Sequence, residues 1–295
     1  MAAKILVTGA NGQLGKEFQE LSKQQTAFKF IFLSKEDLPI DNVKQVSNAF
    51  RMHQPSFCIN CAAYTAVDKA ESEPDLAFTI NADAPQLLAN FCSEINCRFI
   101  HISTDYVFDG TASEPYKEDA ATNPQGVYGA SKEEGEKLVL ESNPASVIIR
   151  TSWVYSEFGK NFVKTMLKLM SDKEEINVVN DQYGSPTYAA DLAAAILEIT
   201  RQLNTTSDQL LPGNSGLFHF SNAGTTTWYD FAIAIKELSG SKCRINPIPT
   251  SAYPTPAKRP HYSVLDTSKI QQTFGIELQD WKASLKVCLQ KLAVV

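Results

Sequence analysis

Along the first half of the chain, short apolar runs alternate with longer stretches whose apolar positions recur every three or four residues. Runs of the first kind suit strands buried on both faces, and stretches of the second kind suit helices with one apolar stripe. Lys4–Thr8, Lys29–Leu33, Phe57–Cys61, Arg98–Ser103 and Ser146–Thr151 read as strands. Gln13–Lys23, Val43–Met52 (ended by Pro55), the stretch from Asp75 to Ile95 and a segment starting near Val127 read as helices. Such alternation implies parallel strands joined by right-handed crossovers, hence a doubly wound α/β sheet of the Rossmann type.

After Tyr155 the rhythm loosens. Asn161–Met170, Ala189–Leu203, Thr227–Leu238 and Trp281–Leu292 read as helices, and Leu217–Ser221 reads as a strand. Prolines at 247, 249, 254, 256 and 260 exclude a regular element between Pro247 and Pro260 and predict a stiff, extended loop. Structure on both sides of it, and Tyr253, Lys258 and Arg259 within it, favour a lid or binding loop over a linker. A chain of 295 residues has room for two domains. The expected division is an α/β domain over 1–155 and a smaller α/β domain over 156–295, with part of 173–205 packing back onto the first.

Composition narrows the partners. With 27 basic against 33 acidic residues the net charge is −6, which disfavours a nucleic-acid binder. Phosphate-bearing small molecules remain open, because backbone amides at a helix N-terminus hold them without net positive charge. No apolar run approaches the ~18–20 residues of a membrane span. Ile5-Leu6-Val7 is too short for a secretory signal and runs into a glycine-rich turn. Six cysteines are too sparse for a disulfide framework, so a reduced, cytoplasmic setting is expected. Cys58 and Cys61 have C-x-x-C spacing, but three residues apart on a strand point to opposite faces, so no zinc site is expected there.

The turn after the first strand carries the first chemistry. Gly9-Ala10-Asn11-Gly12-Gln13-Leu14-Gly15 joins a strand to a helix, the context a dinucleotide-binding turn demands. Gly9 serves the tight turn, Gly12 the approach of amides to a pyrophosphate, and Gly15 the packing of helix on strand. The second strand ends in Ser34-Lys35 rather than in a carboxylate, which suits an adenosine 2′-phosphate and favours NADPH, with NADH as the alternative. Thr104 closes the fourth strand, where open α/β sheets bind ligands. Tyr128 and Lys132 stand at i and i+4 and share a helical face. Together they read as an oxidoreductase site, with Tyr128 as proton donor. Lys132 lowers the phenol's pKa and holds the nicotinamide ribose, and the Thr104 hydroxyl binds the substrate carbonyl.

These features resemble the extended branch of the short-chain dehydrogenase/reductases. Asn60–Glu71 (NCAAYTAVDKAE), Ser103–Gly110 (STDYVFDG), Arg150–Tyr155 (RTSWVY), Asn180–Thr187 (NDQYGSPT) and the proline-rich stretch Pro249–Pro260 narrow the resemblance to the dTDP-4-dehydrorhamnose reductase family. The resemblance implies reduction of the 4-keto group of dTDP-4-dehydro-L-rhamnose, the last step of dTDP-rhamnose synthesis. It also implies a smaller C-terminal substrate-binding domain. Ala62, Ala63 and Thr65 would lie along the cofactor, with Pro39 and Ile40 near the adenine. Asp105, Tyr106 and Trp153 would contact the sugar nucleotide, and Arg259 its diphosphate. Pro39 stands where many relatives carry an aspartate. Some relatives dimerise through magnesium held by glutamates, but Ala190 replaces one ligand although Glu17 could match another. No metal is therefore expected, and a monomer or weak homodimer is. A nucleotide-sugar epimerase or dehydratase, and a non-catalytic subunit like the methionine adenosyltransferase β subunit, are the alternative readings.

Overall fold

The computed structural model describes residues 2–205 and 213–294. The first half runs β1 (Ala3–Thr8), α1 (Gln13–Ser22), β2 (Phe28–Leu33), α2 (Val43–His53), β3 (Phe57–Asn60), the short α3 (Val67–Ala70) and α4 (Pro74–Phe78), α5 (Ala84–Glu94), β4 (Arg98–Thr104), α6 (Val127–Ser142) and β5 (Val147–Thr151). Then follow β6 (Val154–Tyr155), α7 (Phe162–Asp172), β7 (Glu175–Val179), β8 (Tyr183–Gly184), β9 (Thr187–Tyr188), α8 (Ala189–Thr205), β10 (Gly216–His219), β11 (Thr226–Thr227), α9 (Trp228–Ser239), β12 (Arg244–Ile248), α10 (Ser268–Phe274) and α11 (Trp281–Lys291). No helix among the described residues is long and apolar enough to cross a membrane.

Six parallel strands form the central sheet in the order β10-β5-β4-β3-β1-β2. The chain leaves β1 towards β2 on one side and returns to β3 on the other, so the topological switch point lies between β1 and β3. A crevice at the carboxyl ends of these strands is where such sheets bind ligands. Side chains alternate along the strands. Ile5, Val7, Ile59, Ile100 and Ile149 pack against Phe18 of α1, Leu192 and Ile196 of α8 and Phe274 of α10. Leu6, Cys58, Phe99 and Ile148 face the other way, against Phe50 of α2, Leu88 and Cys92 of α5 and Val139 of α6. Cys61 packs against the first of these cores, across the sheet from Cys58. A separate core joins α7, α9 and α11 to the parallel pair β7–β12. The second half of the chain thus contributes to both the sheet layers and this outer core.

Two departures from the sequence reading have local causes. The stretch from Asp75 to Ile95 is not one helix: a π-helical turn, Thr79–Asp83, separates α4 from α5. Pro85 lacks an N–H and its ring crowds the carbonyl four residues back, which the wider turn relieves. The proline-rich stretch does not begin as a loop, because Pro247 lies within β12 opposite Val178. In a two-stranded sheet each strand has an open edge, and a residue without an N–H is tolerated there. The remainder, 249–260, holds no regular element apart from a 3-10 turn at Thr250–Ala252. The short helix α10 was not anticipated.

Candidate active site

Gly9 turns the chain out of β1 with φ +63°, and a Cβ on it would stand 2.6 Å from the Ala62 nitrogen. A Cβ on Gly15 would come within 2.5 Å of the Gly9 carbonyl oxygen, so glycine lets α1 close onto the turn. Gly12 is the N-cap of α1. No side chain caps this end and no acidic residue lies in the first turn. The first amides of α1 and the positive end of its dipole are therefore left for an anion, which fits the diphosphate of a dinucleotide.

A cleft of 480 Å³ opens above this turn. Gly9, Asn11, Gly12, Lys35, Pro39, Ile40, Ala62 and Ala63 line it, together with Tyr64, Lys69, Glu73, Leu76 and Ile80. Asn81, on the π-helical turn, fixes one wall: it accepts from the Tyr64 N–H (2.8 Å) and donates to the Tyr64 carbonyl (3.0 Å). The other expected cofactor residues stand outside the lining. Gln13 accepts from Asn161 Nδ2 at 2.8 Å and so faces the second half of the chain. Leu14 is in the core, and Thr65 is exposed. Ser34 is buried, and its hydroxyl donates to Asp37 Oδ2 at 2.7 Å.

At the end of β4, Thr104 Oγ1 accepts from the Tyr106 N–H (3.2 Å) and donates to Asp105 Oδ1 (3.0 Å). Helix α6 brings Tyr128 to this point, beside the Thr104 hydroxyl. Enclosure by the protein pushes the Tyr128 pKa up to about 12; the Thr104 hydroxyl opposes this and the Asp105 charge adds to it. The expectation that Lys132 lowers this pKa is therefore corrected. Lys132 Nζ donates to the Ile102 carbonyl at 2.6 Å and lies 3.3 Å from His101 Nε2. Burial takes Lys132 itself down to about 8, against the pull of Glu136. Asp105 is 2 % exposed and its Oδ2 has no partner. Burial raises it to about 6, with the nearby Ser263 and Thr104 hydroxyls opposing. The Tyr106 ring stands edge-on to that of Tyr128, with centroids 5.5 Å apart.

A second cavity of 750 Å³ adjoins Tyr106. Its walls are Phe162 and Met166 of α7, Ile176 and Val178 of β7, Trp228, and Tyr253, Thr255 and Arg259 of the proline-rich strap. Asp68 fastens the strap: Arg259 Nη2 donates to Asp68 Oδ2 (2.7 Å) and the Ala257 N–H to Asp68 Oδ1 (3.2 Å). Arg259 Nη1 is buried without a hydrogen-bond partner, a donor suited to an anionic group. Trp153 does not line the cavity. It sits at φ +49°, stacked on Trp228 at 3.6 Å and 11°. Sequence reasoning missed Phe162 and Trp228, whose positions depend on packing that no local motif marks; Asp68 lies within the Asn60–Glu71 block but had no role assigned, and Tyr253 was named only as part of the loop.

Comparison with known proteins bears on this geometry. Residues 3–294 match the family model described as the RmlD substrate binding domain. The dTDP-4-dehydrorhamnose reductase of Aggregatibacter actinomycetemcomitans is 41% identical over 293 residues, covering 96% of this chain and 97% of that one. A solved dTDP-4-dehydrorhamnose reductase from Clostridium acetobutylicum superposes with TM-score 0.92 at 43% identity, over 98% of this chain and 99% of the other. One from Bacillus anthracis, solved in complex with NADP, gives TM-score 0.91 at 37% identity, over 99% and 100% of the two chains.

Proposed function

This chain belongs to the dTDP-4-dehydrorhamnose reductase family, and on that premise we propose that it reduces the 4-keto group of dTDP-4-dehydro-L-rhamnose, giving dTDP-L-rhamnose. One observation carries the reading: the Tyr128–Thr104 hydroxyl pair stands at the carboxyl end of the sheet, with Tyr106 linking it to the second cavity. The cofactor is NADPH: the amides at the start of α1 would hold its diphosphate, Lys35 its 2′-phosphate, and Ala62 and Ala63 would line its site. When bound, it supplies the hydride.

The remaining chemistry belongs to the chain. A phenol with a pKa near 12 keeps its proton at neutral pH and yields it only to a stronger base, such as an alkoxide developing at the sugar C4. Tyr128 is that proton donor. Thr104 donates to the carbonyl oxygen, and Lys132 sets its charge opposite the phenolate left on Tyr128 and holds the nicotinamide ribose. Asp105, with its unpartnered Oδ2, accepts from a sugar hydroxyl, and Tyr106 walls the sugar site. Arg259 Nη1 takes the diphosphate, and Trp153 acts by backing Trp228. The working division is a cofactor domain built on the first 155 residues and a substrate domain beyond it, acting as a cytoplasmic monomer or weak homodimer.

The test follows NADPH consumption at about 340 nm with enzymatically prepared keto sugar. Tyr128→Phe is expected to lose about 10²-fold or more in kcat while still binding NADPH. Equal turnover by the variant, or none by the native protein, would sink the reading.

A further inference from the structure

Beneath this site, four polar side chains lie in line across the sheet. Thr8, Asn60 and His101 are register neighbours on β1, β3 and β4, and Lys132 reaches His101 from α6. None is more than 2 % exposed. The Thr8 hydroxyl donates to Asn60 Oδ1 at 2.6 Å. The backbone N–H of Ala62, a residue of the cofactor cleft, donates to the same oxygen at 3.2 Å. A backbone N–H cannot accept, so this contact fixes the amide: Oδ1 faces Ala62 and Nδ2 faces His101. Nδ2 then donates to His101 Nδ1, 3.0 Å away, which must be unprotonated. Burial, and after it the nearby Lys132, hold this ring neutral, with its pKa well below the usual range. Its single proton therefore sits on Nε2, 3.3 Å from Lys132 Nζ.

We propose that His101 is a positioning residue for Lys132: its Nε2–H, oriented through Asn60 by the Ala62 backbone, faces Nζ and favours the amine over the ammonium. The role rests on the reading that Lys132 serves the reductase reaction. An ammonium has no lone pair to meet an N–H, whereas an amine accepts from Nε2–H and still donates to the Ile102 carbonyl. The other ionisable neighbours act through charge. Tyr128 and Glu136 share α6 with the lysine, and Asp105 lies beyond Tyr128. Glu136 is already paired with Arg150 of β5 at 2.6 Å and accepts from Ser103 of β4. His101 discriminates between the two charge states by the direction of one N–H. The device runs from a cofactor-lining backbone amide to the lysine without solvent in between.

Asn60→Asp reverses the chain. A carboxylate accepts from both Ala62 N–H and a proton moved to His101 Nδ1, which turns Nε2 into an acceptor for the ammonium. ¹⁵N NMR of histidine-labelled protein, free of cofactor and substrate, is expected to show His101 as the Nε2–H tautomer in the native protein and as Nδ1–H in Asn60→Asp. Loss of the signal in His101→Leu assigns it. The Lys132 ¹³Cε titration, and with it the alkaline limb of kcat/KM, is expected to move up by about one pH unit in Asn60→Asp. In the Asn60→Asp/His101→Leu double variant that shift disappears. A native His101 protonated at Nδ1 overturns the proposal, as does an equal shift in the double variant, which would assign it to the new charge alone. Both NMR readings need no turnover, so a chain that fails to reduce the keto sugar still decides the role of His101 separately.

Discussion

In the proposed mechanism Lys132 presents donors to a ribose and also carries charge, and its burial sets these demands against each other. Lys132→Met is expected to weaken NADPH binding about 10-fold and to lower kcat about 10²-fold, read by fluorescence titration and by initial rates. An unchanged kcat/KM would remove the lysine from the site. The residue also leaves a mark on stability. Its folded pKa near 8 lies below the unfolded 10.5, so the unfolded chain binds more protons between those values and this group makes folding more favourable as pH rises through them. At this scale the sequence was legible where function is local. Gly9, Gly12 and Asn11 line the cleft because one turn places them there. Gln13 shares that turn, Ser34 ends the second strand and Thr65 follows from the resemblance, but what a side chain touches depends on neighbours from elsewhere. Asn161 occupies Gln13, and Asp37 takes the Ser34 hydroxyl.

The element whose behaviour can be tested most directly is the strap over the second cavity. The Asp68–Arg259 pair is 43 % and 21 % exposed at its two side chains, and an ion pair that open to water contributes at most about 1 kcal/mol. Asp68→Ala is therefore expected to leave Tm nearly unchanged. It should raise KM for the sugar nucleotide about 5-fold or more, because the strap and the Arg259 guanidinium lose their fastening while NADPH affinity stays the same. A fall in Tm with unchanged KM would make the clasp purely structural. The parallel strands and their helices were readable because their apolar periods are long and unbroken. The π-helical turn was hidden because apolar spacing continues across it, and only Pro85 hints at the break. The β7–β12 pair went unread because Pro247 lies within β12 and Pro249 follows it, and the cost of such prolines vanishes on an open edge.

Across the whole molecule, the seam between the sheet layers and the outer core is held by α1. Glu17 on this helix is 1 % exposed, and its Oε1 has no hydrogen-bond partner. Burial, and next the Glu157 carboxylate across the seam, raise it to about 8. Glu157 meanwhile accepts from Tyr188 (2.9 Å) and pairs with Lys291 (2.9 Å). The folded pKa of Glu17 exceeds the unfolded value of 4.5, so the folded state holds an extra proton between those values. Stability from this group is fully present below about 4.5 and is lost as pH rises to 8. Glu17→Gln, neutral at every pH, is expected to raise Tm by about 3 °C at pH 8 and to change it little near pH 5. An equal gain at both pH values would show that charge is not the cause. No local pattern announces this contact, just as none announces that β10 pairs with β5 after the chain has passed through α7 and β7 of the outer core.

The stacked indoles of Trp153 and Trp228 have an optical consequence. The chain holds three tryptophans, and all of them, Trp281 included, pack in or against the outer core. Two near-parallel indoles 3.6 Å apart share their excited states, so the near-ultraviolet circular dichroism should carry a paired band of opposite signs that Trp228→Phe erases. Trp228 forms one wall of the 750 Å³ cavity, whereas no indole borders the cofactor cleft. Contact quenching of the indoles thus reports on the 750 Å³ cavity and not on the cofactor cleft.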